Sequence, residues 1–235
     1  MTLNEMICHR KSCRQFTGEP VDVELIEKIL SFEPKPLYPE IKVRMDIVSR
    51  DQVWCIFPCP WITPQLIAIY SEEAEGYTEN IGFVLQQMDL YLQTLGLGAC
   101  WLGIGRMNPG TTEVEGMKFV IMLAFGYPQG DQLRHNLKEF KRKPMEQITD
   151  HPDPRLEPAR LAPSAVNDQP WYFTHEGDDI HVWCTKEGSY LDAGIALAHL
   201  YVENMESFRF FKAENVSPMA GYTYIGSCRI EYDGW

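Results

Sequence analysis

The chain has no apolar run clean enough to cross a bilayer. Its nearest approach, Val53 to Tyr70, is broken by Pro58, Pro60, Pro64 and Gln65, and lipid could not satisfy that backbone. Met1 to Phe16 contains no apolar core of the signal-peptide kind, so it reads as mature protein. No Gly-x-Gly-x-x-Gly is present, which argues against a dinucleotide held in a Rossmann crevice. The six histidines include no pair at a helical metal spacing such as i, i+4, and no metal is expected. Seven cysteines, at 8, 13, 55, 59, 100, 184 and 228, are an odd number without framework spacing. They read as reduced thiols of a cytoplasmic protein. Cys55 and Cys59, with His9 or His135, make a poor metal set among prolines and aromatics, and buried thiols suit them better. Basic residues are scarce, 21 against 33 acidic, for a net charge of −12. That balance excludes an open nucleic-acid surface and requires any phosphate site to be a local cluster.

What is present is a globular composition, 45% hydrophobic and 23% charged over 235 residues, enough for one large domain or two small ones. The most informative stretch is Ala162-Pro163-Ser164-Ala165-Val166-Asn167-Asp168-Gln169-Pro170-Trp171. A helical run, Leu156 to Leu161, leads in, Pro163 turns the chain, and Pro170 restores extension into Trp171-Tyr172-Phe173. Small residues let a flat group approach the backbone, and the carboxamides of Asn167 and Gln169 can both donate and accept. A flavin edge has that alternation of groups; an ordinary helix-to-strand loop would have the same residues.

Near the N-terminus, Arg10-Lys11-Ser12-Cys13-Arg14-Gln15-Phe16 is the densest basic cluster before residue 130. In an extended segment Arg10, Ser12 and Arg14 share one side while Cys13 points inward. Two guanidiniums and a hydroxyl make a receptor for a phosphate dianion. A second basic run lies at Lys138 to Lys143.

Apolar spacing predicts a helix over 22–32 capped by Asp22, and a strand over 41–48. A proline-broken loop over 52–64 and a strand over 66–70 follow. A core helix is expected from Thr78 to Leu95, capped by Thr78 or Asn80, then an extended piece at 99–103 and a buried strand over 119–126. One helical turn is expected at 144–148. His151-Pro152-Asp153-Pro154 is the best linker. Beyond it come a hairpin around Gly177-Asp178, a helix over 191–204, and strands at 208–211 and 224–232.

The two sides of the linker repeat one order of elements. Pro34 to Pro163 spans 129 residues, and Gly82 to Gly194 spans 112. Such a weak repeat describes a chain folded as its own dimer, with a pseudo-twofold axis between the long helices.

These pieces together resemble the flavin-dependent nitroreductase family. The 10–16 segment looks like its phosphate-binding motif, 162–171 like its flavin-edge loop, and Leu95 to Gly103 like the segment beside the isoalloxazine ring. Gly126-Tyr127-Pro128 and Lys141-Arg142-Lys143-Pro144 resemble its closing strand and C-terminal basic motif. The order departs from the usual pattern, because the edge loop follows the basic motif, and Pro34-Lys35-Pro36-Leu37 stands where that loop belongs. The resemblance implies an α+β, three-layer fold with a mixed or antiparallel sheet flanked by helices and two pseudo-symmetric halves. Residues 1–150 would supply phosphate ligands and 151–235 the loop that a partner subunit gives in the family's homodimers. One FMN per chain follows, on a site that one chain can build, with a higher oligomer left open. Arg10, Lys11, Ser12 and Arg14 would hold the phosphate with Lys141 or Arg142. Pro163, Ser164, Ala165, Asn167 and Gln169 would line the ring and ribityl, and Leu102 and Gly103 would lie near its reactive face. Val166 and Asp168 would be structural. The implied partners are NAD(P)H and a small electron acceptor such as a nitroaromatic or quinone, with no catalytic acid or base required. A relative that binds flavin or another small ligand without turnover is the alternative.

Overall fold

The computed structural model describes residues 1–59, 61 and 63–231. Its helices are α1 (Leu3–Ile7), α2 (Val23–Ser31), α3 (Tyr77–Thr94), α4 (Glu157–Leu161) and α5 (Tyr190–Glu203). Its strands are β1 (Val43–Ser49), β2 (Val53–Cys55), β3 (Gln65–Ser71), β4 (Gly98–Trp101), β5 (Gly105–Met107) and β6 (Glu113–Val114). They continue with β7 (Met117–Gly126), β8 (Trp171–Glu176), β9 (Asp179–Thr185), β10 (Arg209–Phe211) and β11 (Tyr222–Arg229).

The expected apolar stripe of α3 is its buried face. Ile81, Val84, Leu85, Met88 and Leu92 pack on Ile67 and Ile69 of β3 and on Leu123 and Phe125 of β7. Each such side chain contributes roughly 1.5–3 kcal/mol on leaving water. Helix α5 sits on the second sheet in the same way, with Ala193, Leu197 and Leu200 in one core with Phe173, Ile180 and Val182. The two long helices pack against each other, so the layers run sheet, helix pair, sheet.

The sheets repeat one topology. The first is ordered β1-β3-β7-β4, with β6 added on β7; the second is β8-β9-β11-β10. Every pairing between these named strands is antiparallel. In both, the third strand of the series in chain order lies outside the fourth. This architecture is the α+β class with pseudo-symmetric halves expected from the sequence.

The helix crossing shares that symmetry. A Cβ on Gly82 would sit 2.0 Å from the Leu191 carbonyl oxygen, and one on Gly194 would sit 2.0 Å from that of Glu79. No side chain fits at either position, so the helices touch backbone to backbone. Glu79 to Leu191 and Gly82 to Gly194 are the same 112-residue step.

Several local expectations change. Gly76, not Thr78 or Asn80, stands at the N-cap of α3. The Thr78 hydroxyl donates instead to Glu79 at 3.0 Å. Asn80 accepts the N–H groups of Leu37 and Tyr38 at 2.8 and 3.0 Å, because a carboxamide is worth more tying down that proline-rich loop. The short helix α1 was not expected; Thr2 and Glu5 close it with a capping box. The 52–64 loop contains β2, which pairs with β5. Pro60 and Ile62 of that loop and Tyr232, the expected end of the last strand, lie outside the described residues.

Candidate active site

A cavity of about 350 Å³ is walled by three separated parts of the chain. Ser12, Arg14 and Trp61 come from the N-terminal side, Cys100 to Ile104 and Ile121 from the first sheet, and Pro163 to Val166 with Leu191, Asp192 and Ile195 from the second half. Its size falls at the lower end of ordinary small-molecule sites.

Local structure explains each wall. Ser12 forms a parallel bridge with Ala99, and the Cys13 N–H donates to the Ala99 carbonyl at 2.9 Å. The segment is thus an extra extended piece beside β4, with Cys13 fully buried and Arg14 exposed, as alternation requires. Trp61 lies under the Arg14 guanidinium, 5.4 Å from ring centroid to Cζ. Its indole N–H is a buried donor without an acceptor among the described residues.

The 164–169 loop is strained. Val166, Asn167 and Gln169 have φ of 47°, 60° and 48°. Positive φ is costly for a β-branched residue, roughly 1–3 kcal/mol, and persists only where surroundings over-determine it. Here the surroundings are identifiable. Asp192 accepts the Ala165 N–H at 3.1 and 3.3 Å, and Ser164 Oγ accepts the Gln169 N–H at 2.8 Å. Asn167 donates to the Lys141 carbonyl at 2.7 Å and accepts from Arg142 Nη1. Gln169 accepts the Lys143 N–H at 2.7 Å and donates to the Arg160 carbonyl at 3.1 Å.

The sequence-predicted residues therefore divide. Ser12, Arg14, Leu102, Gly103, Pro163, Ser164 and Ala165 meet in the cavity wall. Asn167 and the fully buried Gln169 instead use their carboxamides to bind the 141–143 segment to the loop. Lys11 is exposed, with its N–H donating to Gln93 Oε1 at 3.0 Å, away from the cavity lining. Arg10 does not face solvent with its neighbours: it is 1% exposed, donates to Asp89 Oδ2 at 3.0 Å, and reaches Ser12 Oγ at 3.2 Å. Lys141 offers the loop its carbonyl. Val166, expected to be structural, stands 98% exposed at the cavity mouth.

Behind the Ser12 and Val166 walls lies a concentration of positive charge. Burial and the neighbouring Arg10, Arg134 and Arg160 hold the Arg142 guanidinium down to about 9. Burial and Arg10 bring Arg134 to about 10. Arg10 has Asp89 and Arg160 has Glu157, but among the described residues Arg134 and Arg142 form no salt bridge. In a chain of net charge −12, that local surplus of positive charge stands out.

A buried polar chain links this cluster to the cavity. Trp101 Nε1 donates to Gln86 Oε1 at 3.1 Å, and Gln86 Nε2 contacts Asp89 Oδ2 at 3.0 Å and His199 Nε2 at 3.1 Å. Burial, with Arg10 nearby, lowers His199 to about 3. The imidazole is thus neutral, with Nδ1–H donating to the Pro158 carbonyl at 3.0 Å.

Sequence reasoning missed Asp192, Ile104, Ile121, Leu191 and Ile195 as cavity residues. Asp192 could have been found, since it opens the second helix where its counterpart Asn80 opens the first. Its carboxyl is 3% exposed and burial raises it to about 6, with the Ala165 N–H opposing and Asp168 adding.

The chain is similar to known proteins over nearly its whole length. The family described as "Putative TM nitroreductase" matches residues 2–204. A crystal structure of a "putative nitroreductase" from Thermotoga maritima aligns with 22% identity and a TM-score of 0.68, covering 98% of this chain and 94% of that one. A nitroreductase family protein from Clostridium difficile 630 aligns at 18% identity and a TM-score of 0.48, over 63% of this chain and 96% of its own. An "FMN-dependent Nitroreductase" of Clostridium difficile R20291 aligns at 15% and 0.41, over 56% and 91%. No curated protein sequence matches the chain. With the family matched across residues 2–204 and the fold shared end to end with the Thermotoga structure, the chain belongs to the nitroreductase family.

Proposed function

We propose that the protein is an FMN-dependent NAD(P)H oxidoreductase that reduces nitroaromatics, quinones or similar small acceptors. One observation carries the reading. A cavity with largely apolar walls, closed from both halves of one chain, backs onto Arg134 and Arg142, which form no salt bridge among the described residues. The donor set fits the cofactor. Ser12, Arg14 and Arg142 suit a phosphate dianion, with Arg10 orienting the Ser12 hydroxyl. Trp101, Leu102, Ile104, Leu191 and Ile195 suit the faces of a flat ring system, and the orphan Trp61 N–H suits an acceptor on it. Residues 1–150 and 151–235 then act as the two sides of one cradle, so a single chain completes the site.

When bound, FMN supplies two-electron chemistry between a nicotinamide donor and an acceptor that use the same face in turn. The chain's own contribution is placement and exclusion of water. Ile104, Ile121, Leu191 and Ile195 dry the cavity, and the tethered 164–169 loop fixes its rim. Among the described residues Asp192 is the one carboxyl in the wall, and its raised value lets it hold a proton below about pH 6.

The absorption spectrum of purified protein, before and after anaerobic NADH or NADPH, tests the proposal. Near one flavin per chain, bleached by the nicotinamide, is expected. A protein that takes up no FMN sinks it, and a bound flavin that neither nicotinamide reduces assigns the chain to the non-catalytic binders.

A further inference from the structure

We propose that the junction between the two halves carries a binding site for one borderline divalent metal ion, of the Zn²⁺ or Ni²⁺ class, held by Asp150, His151 and His175. One nitrogen or oxygen of each residue lies within 4.8 Å of the others. His175 stands on β8, while Asp150 precedes the linker and His151 opens it, so no spacing in the sequence announces the set. Backbone pairing makes the meeting obligatory. Phe173 N–H donates to the Ile148 carbonyl at 2.8 Å, and Asp150 N–H returns to the Phe173 carbonyl at 3.1 Å.

Hydrogen bonding decides which atoms are free. His175 Nε2 lies 3.0 Å from Asp153 Oδ2, and Asp153 is fixed in turn by Arg155 at 2.7 Å. With Nε2–H donated to Asp153, the 2.6 Å contact between Nδ1 and Asp150 Oδ1 is a hydrogen bond whose proton a metal ion would displace to solvent. His151 Nδ1 approaches the same oxygen at 3.2 Å, and the two imidazoles lie 3.9 Å apart between centroids. Two ring nitrogens and a carboxylate oxygen thus lie within 4.8 Å of one another, the oxygen also accepting the His151 N–H at 2.9 Å. A proton satisfies one pair of them, whereas a divalent cation satisfies all three.

The surroundings are those of a metal-bound histidine, whose second nitrogen is normally held by an outer carboxylate. Here that carboxylate is Asp153. Two imidazoles with one carboxylate select zinc, nickel or copper over magnesium or calcium, which favour oxygen. His175 and Asp153 side chains are each 7% exposed, while His151 is 59% exposed and leaves the remaining coordination position to water. Binding requires the 2.6 Å contact to open toward the wider spacing of ligands around a metal with bonds of about 2.0–2.2 Å. The exposed His151 side can move to allow it. Such an ion would bolt the linker to the edge of the second sheet, stabilising the folded state without touching the cavity.

Calorimetric titration of the full chain with Zn²⁺, and zinc-edge anomalous diffraction from soaked crystals, test this. Wild type is compared with His151→Ala and Asp153→Asn, which retain every cysteine, so binding to thiols is common to all three. Wild type is expected to bind one more ion than His151→Ala, with an anomalous peak between Asp150, His151 and His175 and a raised Tm. Asp153→Asn is expected to weaken that site about 10–100-fold while leaving its ligands in place. Equal titrations for wild type and His151→Ala, or anomalous peaks at cysteines alone, would overturn the proposal and leave a shared proton as the bridge. The readouts do not involve flavin, so they stand apart from the proposed activity.

Discussion

Asp192 accepts the Ala165 N–H at 3.1 Å, in the place where Asn80, 112 residues earlier, accepts the Leu37 N–H at 2.8 Å. Each side chain projects from the first turn of a long helix to pin a proline-containing loop. In the half whose loop lines the cavity, a carboxylate has taken the carboxamide's place. Because burial raises Asp192 from 3.8 to about 6, the folded protein binds that proton more tightly than the unfolded chain. Its stabilising contribution is complete below about pH 3.8 and is lost as pH rises through about 6. Asp192→Asn keeps the acceptor and removes the charge. In FMN-free protein it should flatten the stability profile between pH 4 and 6. At pH 8 it should raise stability by as much as about 3 kcal/mol, at 1.36 kcal/mol per pKa unit. Urea unfolding at a series of pH values measures both, and an unchanged slope would refute the account.

At the helix crossing the outcome is set by backbone, which cannot yield as a side-chain tip can. Gly82→Ala and Gly194→Ala should each cost at least about 1–3 kcal/mol, the range for overpacking. Gly103→Ala, whose Cβ would meet nothing within 4 Å, should be nearly neutral to stability. Chemical denaturation of the three variants makes the comparison, and equal effects at Gly82 and Gly103 would contradict the backbone contact.

Arg142 bears on the proposed cofactor. Its loss should weaken FMN binding about 10–100-fold, the worth of a hydrogen bond to a charged group. Riboflavin has the same ring without the phosphate, so its affinity should change little in Arg142→Gln. Fluorescence titration of both ligands separates the effects. An equal loss for each would mean that Arg142 acts through the Asn167 loop and not on an anion.

Val166 tests the strain itself. It is β-branched, 98% exposed and held at φ 47°. Asn tolerates that conformation, so Val166→Asn should stabilise the chain by about 1 kcal/mol. A lower Tm for this variant would show that the loop does not carry the strain its φ implies.

Much of this was legible in residues that act locally. The stripe of α3, the proline turn at Pro163 and the inward Cys13 follow from period and sterics, and each lies where the pattern puts it. Arg10 was not legible, because alternation sets its direction but Asp89, 79 residues away, decides its partner. Asn167 and Gln169 were read correctly as adaptable amides. Which amide edge they serve depends on where the 141–143 segment runs, and no local pattern encodes that. Asp192 looked like an ordinary helix-start acid until the loop closed over it.

The walls around the cavity come from residues 12 to 195. During synthesis, the ribosome must therefore have released most of the polypeptide before the last wall exists. FMN added to a chain interrupted shortly after the first sheet would meet an open surface. On the proposed function, the yellow colour of a bound flavin would report that translation had run past Ile195.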